Sequence, residues 1–283
     1  MGTTGTAFER LCASPRQVDD PSACDFYHAM DVPGVGEVEG QWDLRPNVSA
    51  YLGRIPLTGR RVLDLGTADG FLTFHMEREG AEVVSYDLSE DHRWDVVPYA
   101  RRPAGTVGSG ADGEWLATED GYRAGIRRLN NAYWFCHRAF GSAARLVHGD
   151  VYSVPAEIGQ VDVSVFGALL LHTRDPFAAL ASAAKLTRDA VVVTEPRDRL
   201  SPPAAVSGLA RRLPRRLYKP ALRFLPDART GRHPDGWWRL SPEVVVAFLG
   251  VLGFERADVS FHTQLHRNRR RRMFTVAGHR TVP

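Results

Sequence analysis

The clearest hydrophobic pattern lies in the first third of the chain. A mainly apolar run over 62–65 predicts a buried strand, and a turn from Gly66 to Gly70 ends it. Apolar residues then recur at helical spacing over 71–79, and a second apolar run over 82–86 follows. The sequence therefore predicts a strand, a glycine turn, a helix and a second strand in succession.

The same alternation continues through the rest of the chain. Further strands are predicted over 145–148, 161–166, 190–194, 254–261 and 273–278, and further helices over 122–140, 177–186 and 242–252. Strands that alternate with helices favour an α/β fold. We expect a Rossmann-like, doubly wound sheet of seven strands, with an antiparallel final strand.

Three segments depart from this pattern. Residues 1 to about 24 carry a short helical pattern, and the stretch from Cys24 to 55 mixes aromatic and polar residues without strand or helix period, apart from a helix predicted over about 45–52. They fit either a cap over a ligand site or an arm that covers the sheet edge. Two long stretches, a glycine-rich one over about 88–121 and one rich in proline and arginine over about 197–236, show no strand pattern and are predicted to be insertions. We therefore expect an N-terminal cap of 1–55 and one ligand-binding domain of 56–283.

Composition narrows the class of protein. The 283 residues are 43% apolar and 24% charged, which is ordinary for a globular domain with additions. No apolar run approaches the ~20 residues of a membrane helix, and the N-terminus lacks the regions of a signal peptide. The three cysteines form no C-x-x-C pair. We expect a cytoplasmic protein with no membrane segment and no metal site.

Acidic residues around the glycine turn indicate the ligand. Asp64 precedes Gly66 by two positions, Asp69 lies inside the turn, and Asp87 ends the second strand, where a carboxylate accepts ribose hydroxyls. The dinucleotide fingerprint G-x-G-x-x-G is absent, which disfavours a nicotinamide oxidoreductase. Carboxylates would repel a pyrophosphate but suit the cationic methionine end of S-adenosylmethionine (SAM).

Asp64, Gly66 and Gly70 match D/E-x-G-x-x-x-G, and the chain here resembles the class I SAM-dependent methyltransferases. The resemblance implies that Asp87 binds the ribose, that Asp150 binds the adenine amino group, and that the end of the fourth strand passes the methionine moiety. The predicted cofactor-binding set is Asp64, Gly66, Thr67, Ala68, Asp69, Gly70, Phe71, Asp87, Leu88, Asp150, Val151, Phe166, Gly167 and His172.

A closer resemblance rests on six motifs that occur in order over about 26–262: YHAMDVPG, QWDLRP, RVLDLGTADGF, LLLHTRDPFAAL, TEP and GWWRLSPE. Together they resemble the methyltransferase family related to the tRNA wobble-uridine carboxymethyltransferases. The tRNA branch holds carboxy-SAM partly with lysines, whereas the only lysines here are Lys185 and Lys219. The resemblance therefore implies ordinary SAM as the donor.

Four residues are candidate general bases. His172 follows the fourth strand, and a neutral imidazole near pH 7 suits proton abstraction. Glu195 after the fifth strand, and Tyr27 and His28 in the cap, are its rivals. Two alternatives stay open: His172 hydrogen-bonds within the cofactor site, or methyl transfer needs alignment of donor and acceptor and no base.

Aromatic and acidic residues outside the strands suggest an acceptor site. Trp237 and Trp238 could wall it, with Asp31 and Trp42 contributed by the cap, although aromatic residues before a helix are as often core. The arginines within 211–232 suit a small anionic acceptor, and a solvated surface is the alternative.

These features predict a SAM-dependent methyltransferase that acts on a small molecule, in specialised metabolism. A tRNA-modifying methyltransferase or an RNA-binding protein is the alternative, because Arg267 and Arg269–Arg272 form a basic run. Aromatic residues are not interleaved with that run, which disfavours nucleic acid. The sequence gives no indication of oligomeric state.

Overall fold

The computed structural model describes residues 6–99, 119–197, 220–233 and 235–281. Most of both predicted insertions, with Arg211–Arg212 and Arg215–Arg216, lies outside the described residues. The helices are α1 (Ala7–Leu11), α2 (Val48–Tyr51), α3 (Phe71–Arg78), α4 (Glu119–Phe140), α5 (Pro176–Ala184) and α6 (Pro242–Val251). The strands are β1 (Met30–Val32), β2 (Gly36–Val38), β3 (Trp42–Asp43), β4 (Arg61–Leu65), β5 (Glu82–Asp87), β6 (Arg145–His148), β7 (Val161–Gly167), β8 (Thr187–Pro196), β9 (Leu222–Phe224), β10 (Trp238–Leu240), β11 (Arg256–His266) and β12 (Arg269–His279).

The main sheet confirms the predicted doubly wound α/β architecture. Its eight strands run in the order β3-β11-β12-β8-β7-β4-β5-β6. The five strands from β8 to β6 are parallel, and β12 is antiparallel to both β8 and β11. Chain order reverses between β4 and β7, and ligands of open α/β sheets bind at the carboxyl ends of strands beside such a reversal.

The strand count exceeds the seven expected because the N-terminal segment adds β3 to the sheet edge. Trp42 and Asp43 pair with His266 and Leu265 of β11. The expectation that this segment has no strands was therefore wrong, since β1 and β2 also form a hairpin there. Its predicted helix is a 3-10 turn, Arg45–Asn47, followed by the single turn of α2.

Three other boundaries differ from the expected ones. Helix α4 begins at Glu119, inside the predicted first insertion. Strand β9 lies inside the second insertion, where no strand was expected, and it pairs with β10. Strands β11 and β12 are longer than predicted, because the arginines over 269–272 belong to β12 and only Arg267 and Asn268 form the turn.

Side chains on the two faces of the sheet form two cores. On the first face, Val62, Val163 and Val192 pack with α3, α4 and the N-terminal segment. On the second face, Leu63 and Val191 pack with α5 and α6. These side chains have no exposed surface, and burying each stabilises the fold by about 1.5–3 kcal/mol. The cores hold the strand ends in fixed positions.

No helix in the described part of the chain has the length and apolar character needed to cross a membrane.

Candidate functional site

The turn after β4 has a backbone shape that favours glycine. Gly66 and Gly70 have φ angles of +75° and +86°, and a Cβ on Gly70 would lie 2.4 Å from the Phe74 ring. Ala68, with φ +51°, is also left-handed, although it is not glycine. Its N–H donates to Asp87 Oδ2 at 2.7 Å, which ties the turn to the end of β5. Strained backbone of this kind is found most often at functional sites.

Asp64, near the end of β4, is a buried carboxylate with one satisfied and one unsatisfied oxygen. Its Oδ2 accepts hydrogen bonds from the hydroxyls of Thr67 (3.1 Å) and Thr73 (2.7 Å). Its Oδ1 is buried and has no hydrogen-bond partner among the described residues. Burial raises the pKa of Asp64 to about 6, against the effect of the two hydroxyls. A buried orphan oxygen is costly, so this one indicates a ligand that donates a hydrogen bond.

Asp87 and Asp150 lie at the ends of the next two strands. Asp87 Oδ1 accepts from the N–H of Leu88 at 2.7 Å, and burial raises the pKa of its carboxyl. Each carboxylate oxygen has a second lone pair, so Asp87 can still accept hydroxyls. The Tyr86 hydroxyl donates to the Asp150 carbonyl at 2.9 Å, which fixes Asp150 beyond Asp87.

The end of β7 brings further predicted residues to the same edge. Ala168 follows Gly167 with φ +52°, and its N–H donates to the Thr194 carbonyl at 2.7 Å. Phe166 has no exposed surface and belongs to the core of the second face. Neither the side chain nor the backbone of Phe166 is therefore exposed to a ligand.

Glu195, at the end of β8, is a second buried carboxyl with an orphan oxygen. Its Oε1 accepts from the N–H groups of Leu170 (2.8 Å) and Leu171 (3.4 Å). Its Oε2 has no partner among the described residues. Burial raises the pKa of Glu195 to about 8, although these N–H groups and the Arg239 guanidinium favour the charged form.

The N-terminal segment contacts the turn through His28 and Asp69. The His28 N–H donates to Asp69 Oδ2, and Nδ1 lies 2.6 Å from Oδ1. Asp69 has no exposed surface, so its side chain serves this contact and is closed to a cofactor. The imidazole of His28 also stacks on Phe71, with centroids 5.4 Å apart.

Trp42 and Asp31, the cap residues predicted to bind the acceptor, do not face a common site. Trp42 is 8% exposed and donates from Nε1 to the Tyr27 hydroxyl at 3.2 Å. It therefore packs in the core and does not present an open face to an acceptor. The Asp31 side chain is 75% exposed and pairs with Arg45 at 3.4 Å. Asp31 faces solvent beside the cap hairpin.

Tyr51 is a site residue that sequence reasoning missed. A Cβ on Gly167 would lie 3.2 Å from its hydroxyl, and the charges of Asp64 and Glu195 both help to raise its pKa. Tyr51 therefore packs against the end of β7, and burial is the main cause of its raised pKa. Its only sequence signal was a polar residue in the predicted helix of the cap. Its contact with Gly167 could not be predicted, because Gly167 lies far along the chain.

His172, Trp237 and Trp238 lie together in the loop after β7 and around the start of β10, away from the glycine turn. His172 Nδ1 donates to the carbonyl of Asp235, which leaves Nε2 as the basic nitrogen of the neutral ring. The two indoles donate to the carbonyls of Asp95 and Arg174. Both tryptophans thus hold loops together, and both are half-buried.

The strand ends therefore gather most of the predicted cofactor set, and Tyr27 and His28 adjoin it. A cavity of about 240 Å³, bounded by the cap, α3 and the end of α4, is separate and shares only Phe71 with that set. Among the described residues, no group of three or more His, Cys, Asp or Glu side chains is placed to hold a metal ion.

No protein-family model matches the chain, and no curated protein matches it. Among solved structures, it is similar to the N-terminal domain of EvdMO1 with SAH bound (TM-score 0.55, 17% identity), covering 92% of this chain and 93% of that domain. The same domain in the presence of SAH and D-fucose gives a TM-score of 0.55 at 18% identity, with coverage of 92% and 93%. Full EvdMO1 gives 0.51 at 17% identity, and this chain covers 45% of it.

At these identities the likeness concerns the fold. It extends along nearly the whole length of both domains and agrees with the strand order of the main sheet. The chain has the Rossmann-like methyltransferase fold.

Proposed function

We propose that the protein is a SAM-dependent methyltransferase acting on a small molecule. The buried orphan oxygen of Asp64, at the glycine turn that Asp87 holds, carries the proposal. An ammonium group is the natural donor to such an oxygen. The amino-acid end of SAM carries an ammonium group, and its nucleoside end carries the hydroxyls that Asp87 can accept.

The described residues fit this cofactor. Asp64 would bind the ammonium, Asp87 the ribose and Asp150 the adenine, while the left-handed turn lets the backbone approach closely. When bound, SAM supplies a methyl group on a cationic sulfur. The carboxylates favour a cation there, whereas they would repel the pyrophosphate of a dinucleotide.

A small hydroxylated acceptor agrees with the similar structures, since one was obtained in the presence of SAH and D-fucose. The N-terminal cap, 1–55, would close over the acceptor at the edge of the domain 56–283. The ordered motifs support kinship with the family related to the tRNA wobble-uridine carboxymethyltransferases. We place the enzyme in the cytoplasm, with specialised metabolism as its setting.

Two of the four candidate bases are better placed than the others. Glu195 Oε2 has no partner among the described residues, and His172 keeps Nε2 available as a base. The His28 ring is buried, donates from Nδ1 to Asp69 and stacks on Phe71. The Tyr27 oxygen accepts from Trp42. We therefore assign proton removal to His172, or to Glu195 in the ionised form that it reaches as the pH approaches 8, if the acceptor requires it.

Isothermal titration calorimetry with S-adenosylhomocysteine (SAH) tests the proposal. The wild type should bind with a dissociation constant of about 1–10 μM, and Asp87→Ala should weaken binding at least about 100-fold, because two charge-assisted hydrogen bonds are lost. Asp258→Asn, at an exposed carboxylate on β11, is the matched control and should bind normally. Absence of binding by the wild type would refute the proposal.

A further inference from the structure

His28 is held at the glycine turn with one ring nitrogen left over. Both Asp69 oxygens lie 2.6 Å from it, one from the peptide nitrogen and one from Nδ1. A carboxylate only accepts hydrogen bonds, so Nδ1 carries a proton that it donates to Asp69. Nε2 makes no hydrogen bond to any described residue. Nε2 is therefore the atom of His28 that a ligand can use.

The His28 ring lies beside the start of α3 and within electrostatic reach of Asp64. The imidazole stacks on Phe71, the first residue of α3, at 28° between planes. The positive charge of His28, when protonated, acts on the Asp64 carboxyl and lowers its pKa. The first N–H groups of α3 have no intrahelical acceptor. Hydrogen-bond donors thus lie near Asp64, on His28 and in the first turn of α3, where the Phe71 N–H already donates to Asp69 at 3.4 Å.

We propose that His28, held by Asp69, binds the α-carboxylate of the donor's amino-acid moiety, while Asp64 Oδ1 binds its ammonium group. This inference rests on the proposed function. It assigns the cationic His28 to the carboxylate of the amino-acid moiety and the anionic Asp64 to its ammonium group. Protonated His28 presents Nε2–H to the carboxylate, and buried Asp69 balances its charge. The cap thereby contributes to donor binding as well as to covering the sheet.

The test compares SAH with 5′-methylthioadenosine, which has the same nucleoside but no amino-acid moiety. In calorimetry, His28→Ala should weaken SAH binding about 10- to 100-fold, the range for a hydrogen bond between charged groups. Binding of 5′-methylthioadenosine should change less than about twofold. His75 lines the separate cavity beside α3, so His75→Ala is the control and should leave the ratio of the two affinities unchanged.

The possible outcomes separate the two proposals. An equal loss for both ligands means that His28 only packs the cap, and it overturns the inference. A wild type that binds 5′-methylthioadenosine as tightly as SAH overturns it too, whereas a wild type that binds neither overturns the proposed function. If His28→Ala does not fold, Asp69→Asn tests the same claim. It keeps an oxygen for Nδ1–H and should weaken only SAH, and an unchanged ratio would refute the inference.

Discussion

Replacing Glu195 by glutamine should change how the stability of the protein depends on pH. Glu195 is 1% exposed and has an orphan oxygen, and burial raises its pKa from 4.5 to about 8. The folded state therefore keeps a proton that the unfolded chain releases. Stability should fall as the pH rises through this window, and the loss should be complete above about pH 8.

The size of the effect follows from the two pKa values of Glu195. Between about pH 5 and about pH 7.5, they correspond to a loss of about 3 kcal/mol in the free energy of unfolding. The glutamine amide is neutral at every pH, so the Glu195→Gln variant should lack this loss. Asp64 contributes a slope of the same sign, but it does so in both proteins and cancels in the comparison.

The assay is urea unfolding followed by circular dichroism at several pH values, with the free energy extrapolated to water. Glu157→Gln, at an exposed position, is the control and should follow the wild type. If Glu195→Gln and the wild type lose stability equally across this pH range, Glu195 is ionised in the folded protein and the reasoning fails.

Three further predictions concern other parts of the molecule. Gly70→Ala should lower the free energy of unfolding by about 2–4 kcal/mol, because its Cβ would lie 2.4 Å from Phe74 at a φ of +86°. Gly34→Ala should lower it by only about 1 kcal/mol, because Gly34 has a φ of +76° but nothing within 4 Å of its Cβ. Thermal unfolding would compare the two, and equal losses would contradict the turn geometry. Burial lowers the pKa of His262 to about 4, so stability should fall by about 3 kcal/mol as the pH drops from about 6.5 to about 4. Urea unfolding should show that His262→Gln flattens this acid limb, and an unaltered limb would reject the assignment. Replacing Arg269–Arg272 by glutamine should leave SAH affinity within about twofold, while a salt-dependent mobility shift with bulk tRNA that these changes abolish would favour the RNA alternative.

The parts predicted well from sequence depend on local patterns. The strand, turn and helix from Arg61 to Arg78 need only an apolar run, glycines and helical spacing, all of which are visible within a few residues. Strand β3 could not be predicted, because two residues form it only by pairing with β11, more than 200 positions along the chain. Strand β12 was predicted only from residue 273 onward, because the four arginines at its start resemble a solvated run of charge.

The candidate site divides in the same way. The positions of Asp64 and Asp87 follow from the strands that precede them, so their place at the sheet edge was predictable. The contact between His28 and Asp69 joins residues 41 positions apart, and nothing in the sequence around either residue predicts that they meet. Burial also decides which side chains remain available: Phe166 and Trp42 fit the pattern of ligand contacts, yet both lie in the cores.

A crystal structure with SAH at saturating concentration would show directly which side chains bind the donor. We expect the ribose hydroxyls to lie on Asp87 and the ammonium to lie within hydrogen-bond distance of Asp64 Oδ1, the atom that has no partner among the described residues. SAH bound away from the ends of β4 and β5, or an ammonium that leaves Asp64 Oδ1 without a partner, would contradict it.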